Sequence, residues 1–103
     1  MICAEFYETK GVTKGFSISG HAGYADAGQD VVCAAVSSAV QLSVNVLDAL
    51  GCEADVKIGS NVIRCMVKDE DKTSDTVLGQ LRLHLEAVLE EFPKTIKITN
   101  SEV

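Results

Sequence analysis

Two residues in this 103-residue chain combine into a chemistry that neither has alone: Cys33, and His21 twelve positions before it. A thiolate attacks carbonyl carbon, and a neighbouring imidazole, titrating near neutrality, can take the thiol proton and later hand one to a leaving amine. The order of residues between them is consistent with that pairing. Gly20-His21-Ala22-Gly23-Tyr24-Ala25-Asp26-Ala27-Gly28-Gln29 holds three glycines and no sustained apolar period, which is the pattern of a loop able to fold back over the next element. With Asp30 as N-cap, Cys33 is expected at the third helical position, where backbone N–H groups lack intrahelical acceptors and the helix field favours the ionised sulfur. A third group would orient the imidazole. Asp26 and Asp30 are both candidates, Asp30 the better placed, and its carboxylate has a competing use in capping the helix.

The other candidates have plainer readings. Cys3, Cys52 and Cys65 fall in strand patterns, have no Cys-x-x-Cys spacing and read as core fillers, and the spacings match no standard zinc motif, so no metal or cofactor is expected. His84 lies among charged neighbours on a helical stretch and reads as a surface residue. Tyr7 and Tyr24 either line a groove or pack, with packing favoured.

The elements that position this pair follow from periodicity. Residues 2–8 and 12–19 alternate apolar and polar side chains, joined by a short turn at Thr9-Lys10-Gly11, and predict an antiparallel hairpin. Val32, Val36, Ala39, Val40, Val44 and Leu47 recur at helical steps, predicting a helix over 30–50 that stops near Gly51. It is more apolar than a surface helix requires, so it is expected to pack against the sheet and something further. Cys52, Ala54, Val56 and Ile58 then alternate into a turn at Gly59-Ser60-Asn61 and a strand over 62–67. Thr73 or Ser74 is placed to cap a second helix, which carries Leu78, Leu81, Leu85, Val88, Leu89 and Phe92 on one stripe before Pro93, and 95–99 closes as a strand. The order β-β-α-β-β-α-β implies an α+β two-layer sandwich, a largely antiparallel sheet with two helices, as a single domain over 1–103.

Composition narrows the class. A chain of this size buries enough surface to fold without disulfides or a structural metal. The N-terminus lacks a signal-peptide pattern and no uninterrupted apolar run reaches membrane-spanning length, so a cytoplasmic location with reduced thiols and no membrane partner is expected. A net charge of −6 with nine scattered basic residues argues against nucleic acid as a direct ligand and accommodates a basic protein partner.

Gly20-His21-Ala22-Gly23-Tyr24-Ala25 and Gly28-Gln29-Asp30-Val31-Val32-Cys33-Ala34-Ala35-Val36-Ser37 closely resemble the signature of the ribosomal-processing cysteine protease family. The resemblance implies a cytoplasmic endopeptidase, usually a homodimer, that removes a short apolar N-terminal extension, ending in aromatic residues, from the large-subunit ribosomal protein numbered twenty-seven. It implies a catalytic dyad at Cys33 and His21, with the family's aspartate at Asp30. The family's mobile loop corresponds to 20–29, so Gly20, Gly23, Tyr24 and Gly28 are expected to meet the substrate. The rivals from other classes are a non-catalytic module that clamps a ribosomal protein with the same loop, and a metal-binding regulator.

Overall fold

A computed structural model of the chain describes residues 1–20, 27–69 and 71–103, with backbone alone for 27–30. Strands β1 (Ile2–Thr9) and β2 (Val12–Ser19) lead into helix α1 (Ala27–Ala49), strands β3 (Ala54–Gly59) and β4 (Val62–Val67), helix α2 (Lys72–Glu91) and strand β5 (Ile96–Glu102). One five-stranded sheet results, in the order β3-β4-β2-β1-β5. Its pairings are antiparallel except β1 with β5, which is parallel. The expected element order and α+β class are those observed.

Alternation decides which face of the sheet is covered. Phe6, Phe16 and Cys65 are aligned across β1, β2 and β4, and Ala4, Ile18 and Ile63 form the next row. These rows join Val32, Val36, Val40 and Leu47 of α1 and Leu78, Leu81 and Leu85 of α2 in one core cluster. The opposite face carries Cys3, Glu5, Tyr7 and Arg64. There Tyr7 donates to Glu5 Oε1 at 3.0 Å and lies 5.2 Å under the Arg64 guanidinium, so it packs on the uncovered face.

Local chemistry explains the boundaries. Lys10 and Gly11 both take positive φ, as a tight two-residue hairpin turn demands. Helix α1 ends in a paired cap: Gly51, at φ 76°, donates its N–H to Asp48 O and Cys52 donates to Leu47 O, the bonds by which a left-handed glycine closes a helix. Cys52 therefore belongs to that cap, and β3 begins two residues later than its apolar alternation suggests. Asp71, rather than Thr73 or Ser74, caps α2, accepting from the Ser74 N–H at 2.9 Å. Strand β5 runs to Glu102, beyond the 95–99 expected, because β1 offers it a parallel partner from Ile2 to Glu8.

The start of α1 corrects a more consequential expectation. The helix begins at Ala27, so Asp30 is not its N-cap and Cys33, counted from Ala27, is its seventh residue. Alanine at 27 and glutamine at 29 are good helix formers, and the glycines around them mask that preference in the sequence. By length and composition α1 could also cross a membrane, but one of its faces is core.

Candidate functional site

Cys33 is half-buried on α1, one turn before Val36 and Ser37, at a cleft of about 560 Å³ between that helix and the β3–β4 hairpin. Cys33, Val36 and Val40 form one wall, Ile58 and Ile63 the other, and Ile2, Ile18 and Gly20 close the end. The surroundings are mostly apolar, with Ser37, Gln41 and Asn61 as the polar lining.

Gly20 joins the cleft because the end of β2 is tied to the hairpin. Its N–H donates to Asn61 O at 2.9 Å, and it adopts φ 77°, with the place of a Cβ only 2.8 Å from Met1 O. Glycine is thus required twice over, by conformation and by contact. Gly20 thus lines the same cleft as Cys33. His21, Gly23, Tyr24 and Asp26 lie outside the described residues; Gly28 and Asp30 lie on the first turn of α1.

The position of Cys33 departs from the expectation that places it in the first helical turn. A rise of about 1.5 Å per residue puts it about 9 Å along the axis from Ala27. The helix field falls off within the first turn, and Cys33 lies beyond it. The N–H groups without intrahelical acceptors are those at 27–30, and Asp30 sits among them at the electropositive end.

The remaining chemically active side chains sort themselves by burial. All four cysteines are thiols. Cys65 is fully buried, and desolvation, with Asp55 adding a smaller repulsion, pushes its thiol up to about 11. Cys3 lies on the uncovered sheet face. His84 lines a second cavity of about 650 Å³ with Ala35, Ala39 and Leu42. Ala35 is two residues from Cys33, some 200° around the helix, so that cavity opens on the other side of α1. Among the described residues no group of three or more His, Cys, Asp or Glu side chains is arranged to hold a metal ion.

The parts of the site that sequence reasoning missed are Asn61 and the apolar wall of the hairpin. Ile58 was legible as an alternating strand residue, but Cys33, which shares its cleft, is 25 residues away in the chain.

The fold matches the ribosomal processing protease Prp of Staphylococcus aureus, solved with a covalently linked product peptide, at TM-score 0.88 and 22% identity over 98% of this chain and 100% of that one. The same protease solved with a substrate peptide matches at TM-score 0.89 and 21% identity, with the same coverage of both chains. Protein SMU.848 of Streptococcus mutans matches at TM-score 0.86 and 24% identity over 100% of this chain and 96% of that one. No curated protein sequence matches significantly. The sequence model described as cysteine protease Prp matches residues 1–97. The chain therefore belongs to the Prp family of cysteine proteases and is a cysteine-type peptidase.

Proposed function

We propose that this peptidase removes the N-terminal extension of the large-subunit ribosomal protein numbered twenty-seven, with Cys33 as nucleophile and His21 as its base. The observation that carries the assignment is that Gly20, the residue bonded to His21, lines the same cleft as Cys33, whereas His84, the other histidine of the chain, faces a cavity across α1. In the reaction the Cys33 sulfur attacks the scissile carbonyl while the imidazole takes the thiol proton. Collapse of the tetrahedral adduct breaks the C–N bond, and the same proton leaves with the amine. Water then attacks the thioester, giving up one proton to the imidazole, and the thiol is regenerated as the acid product departs. With Cys33 beyond the first helical turn, the imidazolium is the chief partner of the thiolate. Asp30, one turn before Cys33 on α1, orients the imidazole or holds the free amides of the helix start.

The substrate assignment rests on the family and on charge. A chain of net charge −6 attracts a basic ribosomal protein and not the phosphates of nucleic acid. It acts on the cytoplasmic pool of that protein, without membrane or cofactor. The homodimer implied by the family has a candidate surface in the α1–α2 cavity and the exposed Leu42 beside it.

The test is mass spectrometry of a peptide spanning the extension after incubation with the wild type, Cys33→Ala and His21→Ala. Cleavage is expected from the wild type alone. Undiminished cleavage by Cys33→Ala would remove the nucleophile assignment.

A further inference from the structure

The chain leaves β2 through a hydrogen bond made to a turn and not to a strand. Antiparallel pairing of β2 with β4 runs out at Ser19 and Val62, the last residue of one strand and the first of the other. One residue further on, the Gly20 N–H donates to Asn61 O at 2.9 Å. Gly59 pairs with Val62, so Asn61 is the second of the two residues in the loop of the β3–β4 hairpin, and it takes φ 61°. The β1–β2 hairpin also holds a non-glycine residue at positive φ, Lys10 at 53°, but at the opposite end of β2.

Gly20 is closed in on its other side as well. At φ 77° the place of its Cβ lies 2.8 Å from Met1 O and 4.0 Å from Ile2 Cα, so the residue is held between the start of β1 and the β3–β4 turn. A fixed N–H and a fixed φ together determine where the Gly20 carbonyl carbon lies, and that atom is bonded to the nitrogen of His21. Gly20 and Asn61 both line the cleft of Cys33, and among the described residues of that lining Cys33 carries the one titratable side chain.

Residue type at 61 keeps the acceptor in place. Left-handed backbone is free to glycine, accessible to asparagine and strongly disfavoured for a β-branched residue. The other allowed regions differ in ψ as well as φ, and ψ sets the direction of a residue's own carbonyl. A residue that leaves the left-handed region therefore takes the acceptor away from Gly20.

We propose that Asn61 is a positioning residue of the peptidase: its backbone conformation holds Gly20, and through Gly20 it sets the point from which His21 reaches Cys33. The proposal rests on His21 being the base. No bond of the reaction involves Asn61; it acts on the fraction of Cys33 held as thiolate beside the imidazolium.

The test measures kcat/KM on a peptide spanning the extension and, by peptide mapping, the pH dependence of Cys33 alkylation with iodoacetamide. Asn61→Val is expected to lower kcat/KM about 10-fold and to move the Cys33 profile up by about one pH unit, toward that of His21→Ala. Asn61→Gly, which also lacks the amide but accepts positive φ, is expected to rescue both. Lys10→Val puts the same strain into the remote hairpin and is expected to change neither. Where Asn61→Val does not fold, Asn61→Ala takes its place, differing from Asn61→Gly by one methyl group. An unshifted Cys33 profile in the valine variant, or in the alanine variant standing for it, overturns the proposal. So does a loss in Asn61→Gly as large as in Asn61→Val, which assigns the effect to the side-chain amide. A wild-type Cys33 profile in His21→Ala defeats the base assignment and the proposal with it, whereas a shift in His21→Ala without one at position 61 defeats the proposal alone.

Discussion

Gly20 offers a test in which conformation, contact and function can be separated. It takes φ 77°, where an alanine costs about 1 to 2 kcal/mol, and its added Cβ would lie 2.8 Å from Met1 O, a backbone atom that must shift. Gly11 takes φ 81° with nothing within 4 Å of its Cβ position, so Gly11→Ala meets the conformational cost alone. Gly79, inside α2, has neither restriction, and alanine there gains up to about 1 kcal/mol of helix propensity. For a domain of this size 1 kcal/mol moves the melting temperature by about 5 °C. The expected order in a thermal melt is Gly79→Ala about 5 °C above wild type, Gly11→Ala about 5 to 10 °C below, and Gly20→Ala a further few degrees below that. Cleavage assayed at 20 °C, where all three are folded, separates the functional part. Gly20→Ala displaces the end of β2 and its bond to Asn61 O, at the rim of the Cys33 cleft, and is expected to lower kcat/KM at least 10-fold. Gly11→Ala, at the far end of the hairpin, is expected to cleave as wild type. Equal melting temperatures and equal activities for the Gly11 and Gly20 variants would refute the reasoning.

Cys65 should resist alkylation in the folded protein, because only the thiolate reacts and a thiol raised to about 11 is about 0.1% ionised at pH 8, behind a core that excludes the reagent. Peptide mapping after brief iodoacetamide treatment is expected to find Cys3 labelled and Cys65 labelled only in denaturant; prompt native labelling of Cys65 would contradict the packing of β4. Glu5 makes a pH-dependent contribution whose sign is set by its neighbours: the Ser101 and Tyr7 hydroxyls donate to its carboxylate and hold it below the ordinary carboxylate value. That stabilisation is present above the unfolded value near 4.5 and is lost as pH falls through the lower folded value. The gap in melting temperature between wild type and Glu5→Gln should therefore narrow from pH 7 to pH 3, and a gap of constant width would show that the two hydroxyls do not favour the charged form.

Much of this protein is written in local pattern. Alternation at Ile2, Ala4 and Phe6 and at Phe16 and Ile18 marks strands because a pleated chain sends successive side chains to opposite faces. The Val32, Val36, Val40 and Leu47 spacing marks a helix because 3.6 residues bring a side chain round to the same face. The Cys33 and His21 motif is equally local, since residue type and a glycine-rich neighbourhood are enough to suggest a thiol and a base that meet. Tertiary structure decided everything that depends on partners distant in the chain. The start of α1 at Ala27 moved Cys33 out of the first turn, although nothing in the glycine-rich segment ahead of it signalled a helix. Placing β3 at the sheet edge left Val56 and Ile58, ordinary core residues by their alternation, exposed. The period of a strand specifies which side chains share a face, but whether anything covers that face is settled only when the sheet order is known, because burial is a property of neighbours and not of the segment itself.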